Sequence, residues 1–301
     1  MKVVIFCHSL ISDWNHGNAH FLRGVAGEML ARGNDVRVFE PANAWSVQNL
    51  IGEYGEQPIA DFYRAFPMLR SFRYDPGDFD LDQALEGADL VLVHEWTEPA
   101  VVTAIGRRRA RSEWRLLFHD THHRSITAPH EMRRYKLDDY DGVLAFGASV
   151  AEEYRRRGWH DRVWVWHEAA DIRIFRPMPP RASERDGDLV WIGNWGDDER
   201  TAELGEFLIE PVRDLGLRAR IFGVRYPAEA LASLRKAGVE YGGWLPNYRA
   251  PEVFANYAFT VHVPRRPYAT ALRGVPTIRV FEALACGIPL ISAPWDDTEG
   301  L

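Results

Sequence analysis

Residues 261–295 read VHVPRRPYATALRGVPTIRVFEALACGIPLISAPW, two apolar runs joined by a loop and a helix-period segment. Val261 to Val263 close a short β-rich run, PRRP opens a loop bearing arginines, and a helix-period segment follows from about Thr277 to Cys286. A second apolar run, Pro289 to Ser292, completes it. Strand, loop, helix and strand in that order form a parallel βαβ unit, because parallel strands need a crossover that a helix supplies.

The same alternation covers the whole chain. Val3 to Cys7, Val36 to Phe39, Leu90 to Val93, Arg115 to Phe118 and Gly142 to Phe146 are apolar runs bounded by polar or turn residues, the pattern of strands buried on both faces. A helix is expected over Asn18 to Arg32, where Phe21, Val25, Met29 and Leu30 recur at helical spacing and Gly33 supplies the stop. Around Arg176 to Asp188 the sequence RPMPPRASERDGD loses periodicity and gathers proline and charge, which marks a connection between folding units. The pattern restarts with Leu189 to Ile192, a helix from about Glu199 to Leu215, Ala219 to Phe222, a helix from Pro227 to Ala237, a short strand near Tyr241 and Phe259 to Val263. The expected organisation is α/β, with one Rossmann-like domain over 1–178 and another over 179–301. After Ser292 only APWDDTEGL remains, so the second domain is expected to lack C-terminal elements of a complete doubly wound unit.

With 301 residues, 46% of them hydrophobic and 11 of them Trp, the chain can bury two cores. Its net charge of −7, from 36 Lys and Arg against 43 Asp and Glu, offers no overall field for a polyanion, so no nucleic-acid partner is expected. Arginine is locally dense at Arg107 to Arg109 with Arg111, at Arg133 and Arg134, and at Arg155 to Arg157. These runs read as solvated helix faces, with a peripheral contact to an anionic membrane surface as the other reading. Cys7 and Cys286 are the only cysteines, which excludes a disulfide framework. The N-terminal apolar run is too short for a signal peptide and no run approaches the length of a membrane span, so a cytoplasmic protein is expected.

Ligands of an open parallel sheet bind beyond the carboxyl ends of its strands, which makes the polar residues after each strand the candidates. The first loop, HSLISDWNHGNAH, offers Asp13, His16 and His20 as bases, and Gly17 allows close backbone approach. It contains no G-x-G-x-x-G, which weighs against a nicotinamide-dependent dehydrogenase. After the fourth strand, FHDTHHR places His119, Asp120, His122 and His123 together, as acid-base or sugar-binding groups, a metal site or a hydrogen-bonded turn. No second ligand cluster of metal-binding spacing accompanies it, so no metal is expected. WHEAADIRIF resembles the H-E-x-x-H zinc signature for three letters, but Asp171 holds the fifth position and the preceding VWVW reads as strand. In WIGNWGDDER, Gly193 and Gly196 permit tight backbone approach and Arg200 lies near a helix start, an arrangement suited to a diphosphate. Arg265 and Arg266 are forked phosphate donors, and Glu282, set among Val280, Phe281, Ala283 and Leu284, can accept from a ribose diol. The aromatic segment from Trp45 to Asp80 reads as a core helix pair, with an acceptor groove as the alternative.

EALACGIPLI, Glu282 to Ile291, resembles the E-A-x-A-C-G-x-P-x-I ending of the large group-1 superfamily of GT-B glycosyltransferases, and WIGNW with PTIRVFEALACG is similar to the wording of their spore-maturation-type members. HEAADIRIFRP resembles the family's interdomain segment. The likeness implies two Rossmann-like domains facing across a cleft and transfer of a sugar, of hexosyltransferase type and metal-independent, from a nucleotide-diphosphate sugar to an acceptor hydroxyl. No cofactor is implied beyond that donor, and the acceptor stays open between sugar, lipid and peptide. It further implies that Glu282 holds the ribose, that Gly193, Asn194 and Arg200 stand where the family has its glycine, arginine and lysine near the diphosphate, that Trp244 and Leu245 flank the nucleobase, and that His119 touches the donor sugar. The family's first glutamate, eight positions before Glu282, is Gly274 here, beside Arg273. Arg265, Arg266, Arg273 or Arg279 then supplies the charge that Asn194 does not. The general resemblance leans toward retention of configuration. A nucleotide-sugar epimerase of the same fold, or a nucleotide-binding protein without turnover, are the rival readings.

Overall fold

The computed structural model describes residues 1–272, 274–294, 296 and 300. It divides into two compact units, Met1–Glu168 and Ala169–Asp296. Residues 169–178 fall with the second unit, where Ala170, Ile174 and Phe175 pack against Val190, Phe254 and Ala283.

The first unit is built on seven strands: β1 (Lys2–Phe6), β2 (Asp35–Pro41), β3 (Ser71–Tyr74), β4 (Leu90–His94), β5 (Arg115–Asp120), β6 (Gly142–Ala145) and β7 (Val163–Val165). They lie in the order β3-β2-β1-β4-β5-β6-β7, and every pairing is parallel. The order runs outward in both directions from β1 and β4, so the polypeptide changes direction across the sheet between these two strands. That is where the loops of an open sheet diverge and leave room for a ligand. The register Phe6↔Phe39 and Phe6↔Val93 aligns the carboxyl ends of β1, β2 and β4, which brings the residues that follow them to one edge.

Helix Asn18–Ala31 packs Leu22 and Ala26 on Val3, Ile5 and Val38 of the sheet. Gly33, with φ +80°, takes the left-handed position that ends it. The aromatic segment forms the helix pair Trp45–Tyr54 and Gln57–Ala65, and then an edge strand, β3, that the residue pattern did not show. Its four residues SFRY do not alternate in burial, since only Tyr74 is fully buried.

The second unit has five parallel strands, β8 (Gly187–Ile192), β9 (Ala219–Phe222), β10 (Glu240–Tyr241), β11 (Tyr257–His262) and β12 (Leu290–Ser292), in the order β10-β9-β8-β11-β12. Its central pair, β8 and β11, again carries the change of direction. The helix expected over 199–215 is broken into a 3₁₀ turn Asp197–Glu199, a turn Thr201–Leu204, a π turn Gly205–Ile209 and a helix Glu210–Leu215. Pro211 accounts for part of this. It has no N–H to give the carbonyl four residues back and its ring crowds that turn, which favours a wider ring of hydrogen bonds upstream.

Candidate functional site

In the second unit the loops after β8, β9 and β11 and the helix Ile278–Cys286 bring the predicted donor-site residues to one edge. Glu282 is fully buried on that helix. Its Oε1 accepts from Asn247 Nδ2 at 2.7 Å and its Oε2 from Arg279 Nη1 at 2.5 Å, and the same Arg279 nitrogen donates to Asn247 Oδ1 at 3.0 Å. A carboxylate removed from water is costly unless it is paired, and this triangle supplies the pair together with a neutral donor.

Gly193 sits at the end of β8 because a Cβ there would lie 2.6 Å from the Trp191 ring. Its carbonyl accepts from Tyr226 Oη at 2.9 Å. Asn194 Oδ1 accepts from the Val224 amide at 3.0 Å, which ties the β8 loop to the β9 loop. Arg200 donates to the carbonyls of Asn194, Trp195 and Val263, and its guanidinium stacks 5.1 Å from the Trp191 ring centroid. Among the described residues no carboxylate is ion-paired with it. Burial, and then the nearby charge of Arg265, pull its pKa down to about 10. Arg265 is ion-paired with Glu199 at 2.6 Å, and Arg266 lies at the surface with Glu203 at 2.7 Å, so Arg266 is not brought to the others. Trp244 is half-buried, and Leu245 packs against the core that holds Val190 and Ala283. Gly274 has φ +82° and Arg273 lies outside the described residues.

His262, at the end of β11, was not singled out in the sequence. Its Nδ1 meets Ser292 Oγ and its Nε2 meets Thr277 Oγ1, both at 3.0 Å, which links β11, β12 and the residue preceding helix Ile278–Cys286. Burial, reinforced by Arg200 and Arg279, lowers its pKa to about 4 and keeps the ring neutral.

In the first unit four imidazoles gather at the carboxyl ends of β1, β4 and β5. His8 lies 5.0 Å from His16, His16 lies 6.5 Å from His94, and His94 lies 4.9 Å from His119, measured between ring centroids. All four are buried. Burial lowers His8 and His94 to about 4 and holds His16 and His119 well below the ordinary value, with neighbouring imidazoles adding to the effect at His8, His16 and His119 and the charge of Arg124 at His94. His8 and His94 were not among the sequence candidates, since each merely ends or follows an apolar run.

Asp120 is fully buried and accepts from the His122 amide at 3.0 Å and Tyr154 Oη at 2.8 Å. Burial and the charge of Glu95 push its carboxyl well above the usual range. It therefore reads as a support of the turn beneath His119. Asp13 is taken by Arg23, whose Nη1 donates to Oδ2 at 2.9 Å while Nε and Nη2 donate to the carbonyls of Leu10 and Ile11 at 2.8 and 2.7 Å. One guanidinium thus ties together Leu10, Ile11 and Asp13 of the first loop. Arg124 does the same for the β4 loop, pairing with Glu95 at 2.9 Å and stacking 3.8 Å above Trp96.

Among the described residues four non-glycine residues hold left-handed backbone, Asn15, Trp96, Asp197 and Arg225, and they lie in the loops after β1, β4, β8 and β9. Such strain persists where surrounding structure over-determines it, and it concentrates at functional edges. Among the described residues no three His, Cys, Asp or Glu side chains converge in a metal-binding group, and no helix is long and apolar enough to cross a membrane. Of the arginine runs, Arg108 pairs with Asp82, Arg109 with Asp141, and Arg156 and Arg157 with Glu153.

Two parallel sheets of seven and five strands, each gathering candidate residues at its carboxyl edge, define the class of fold: it is the GT-B fold seen in glycosyltransferase structures. Residues 200–301 match the model of the family described as glycosyl transferase-like. An alpha-glucosyltransferase (AGT) in complex with UDP superposes with a TM-score of 0.63 at 10% identity, over 97% of this chain and 80% of that one. A glycosyltransferase from Rickettsia africae ESF-5 gives 0.62 at 10% identity, over 97% and 78%. An alpha-glucosyltransferase in complex with UDP-glucose and DNA containing an abasic site gives 0.59 at 12% identity, over 99% and 80%. A comparison with curated protein sequences finds no match.

Proposed function

We propose that the chain is a glycosyltransferase that moves a hexose from a UDP-sugar to an acceptor hydroxyl, the second unit holding the nucleotide and the first the acceptor. The observation that carries this reading is the buried Glu282 with Asn247 and Arg279 at the carboxyl edge of a segment that matches a glycosyl transferase-like family, with Arg200 close by. A ribose diol gives Glu282 the hydrogen bonds a carboxylate accepts, and the diphosphate gives Arg200 an anion in place of carbonyl dipoles. Within the superfamily, the WIGNW and PTIRVFEALACG wording favours the spore-maturation-type branch.

In the transfer, the bond between the anomeric carbon and the β-phosphate oxygen breaks with its electron pair going to UDP. The acceptor oxygen bonds to the anomeric carbon and releases its proton. Retention is favoured: Asp13 is paired with Arg23, Asp120 is closed off behind Tyr154, and His16 is a weak base in its burial, so the departing diphosphate oxygen is the better proton acceptor.

The test is thermal unfolding of the full chain with UDP, GDP, ADP, TDP or CMP, repeated on Glu282→Gln. A nucleotide at about 100 times its dissociation constant stabilises the folded state by about 2.7 kcal/mol. UDP is expected to raise the transition, and Glu282→Gln to lose most of that rise. If none of the five shifts the wild-type transition, the reading fails.

A further inference from the structure

We propose that the acceptor is an uncharged carbohydrate, whose hydroxyls are received by His16 at the carboxyl edge of the first sheet. The proposal rests on the glycosyltransferase reading and goes beyond it by naming the acceptor's chemical class and a residue that takes it.

Hydrogen bonds are left unmade at this edge. His16 Nε2 and both ring nitrogens of His119 have no partner among the described residues, although both side chains are more than nine-tenths buried. A buried polar atom without a partner costs about 1–3 kcal/mol, so these atoms mark places where a ligand or water belongs. A neutral imidazole offers one donor and one acceptor, and a sugar carries several hydroxyls that each both donate and accept. Phosphate and carboxylate only accept.

Charge points the same way. The two guanidiniums bordering the cluster are already neutralised, Arg23 by Asp13 and Arg124 by Glu95, and the imidazoles between them are uncharged. Among the described residues of this cluster none offers a free cation to an anionic acceptor. The walls suit a sugar as well. Trp45 stacks on His8 with centroids 4.5 Å apart, Trp166 packs 4.9 Å from His119, and both indoles are half-buried, so apolar faces flank the polar atoms. Sugar rings present C–H faces between their hydroxyls, and aromatic walls with a few placed polar groups are how such ligands are held.

The donor's own hexose has the same hydroxyl chemistry, so the experiment separates the two sources. UDP release from UDP-glucose and other UDP-hexoses is measured with the full chain alone and with a panel of neutral methyl glycosides and oligosaccharides, a sugar phosphate and a DNA duplex. At least one neutral saccharide is expected to raise UDP release tenfold or more over donor alone, with the sugar phosphate and DNA giving less. His16→Ala should raise the KM for that saccharide tenfold or more and leave the donor KM within twofold, and His16→Gln, which keeps a donor and an acceptor, should recover part of the loss. Best turnover with the sugar phosphate or DNA overturns the proposal. So does UDP binding that no neutral saccharide converts to turnover, or an unchanged acceptor KM in a folded His16→Ala. A rise in donor KM alone assigns His16 to the donor's sugar and also overturns it. Absence of UDP binding altogether removes the underlying reading, an outcome the thermal-shift measurement distinguishes.

Discussion

A methyl group added at Gly223 would lie 2.0 Å from the Gly193 carbonyl oxygen, and the residue's φ of +156° already disfavours any side chain. The neighbour there is backbone, which cannot step aside without moving the β8 loop that carries Asn194. At Gly193 the corresponding clash is 2.6 Å from the Trp191 ring, a side chain that can tilt. Gly223→Ala is therefore expected to destabilise by about 3 kcal/mol, the upper end of the overpacking range, and Gly193→Ala by about 1–2 kcal/mol. Urea unfolding followed by tryptophan fluorescence ranks the two, and equal losses would contradict this account of the loop. Much of the proposed donor site was legible as single residues. A glutamate flanked by Val280, Phe281, Ala283 and Leu284 announces a buried carboxylate, and WIGNW announces a tight turn. Its partners were not legible. Asn247, His262 and Thr277 come from three separate segments, and no spacing relates them. Asp13 and Asp120 were legible as polar residues after strands, but Arg23 and Tyr154, which occupy them, are visible only once the chain is folded.

Gly33 shows how local signals set an element's end. It ends helix Asn18–Ala31 at φ +80° with nothing within 4 Å of where its Cβ would be, so a substitution there meets only backbone strain. Gly33→Ala should cost about 1–2 kcal/mol, the penalty of left-handed backbone for an L residue, and Gly33→Asn less, because asparagine enters that region more readily. Equal stability of the alanine variant in chemical denaturation would show that the terminus relaxes elsewhere. Signals of this local kind made most elements readable: apolar runs gave the central strands, and helical spacing with a glycine stop gave the first helix. β3 escaped because it is a four-residue edge strand, half in water, with two exposed residues at its centre. The break in the 197–215 helical segment escaped because a single proline two residues into Glu210–Leu215 reads as a tolerable helix start, and its effect on the preceding turn depends on packing. Both misses occur where tertiary context outweighs a short pattern.

Each unit has its own core, so unfolding of the whole chain is expected in two steps rather than one. Acid should separate them. His8, His16, His94 and His119 are all in the first unit, and His262 is in the second. A histidine whose folded pKa is lowered to about 4 contributes nothing above its unfolded value near 6.5. As pH falls below that value the unfolded chain takes up a proton that the folded chain refuses, and stability drops until about pH 4. Between pH 7 and pH 5 this amounts to about 2 kcal/mol for His8 or His94 taken singly, at 1.36 kcal/mol per pKa unit, and the four do not add fully because they share one pocket. Asp120 and Glu40 oppose the trend, since a buried carboxyl with a raised pKa holds a proton that the unfolded chain has lost, but they are two groups against four. Calorimetry at pH 7 and pH 5, with and without UDP, is the measurement. One transition should fall markedly on acidification and ignore UDP, while the other should rise with UDP and fall less with acid. A single transition that answers equally to both would mean that the histidine cluster and the proposed nucleotide site share one cooperative unit, and the proposed division of labour between the two sheets would then have to be abandoned.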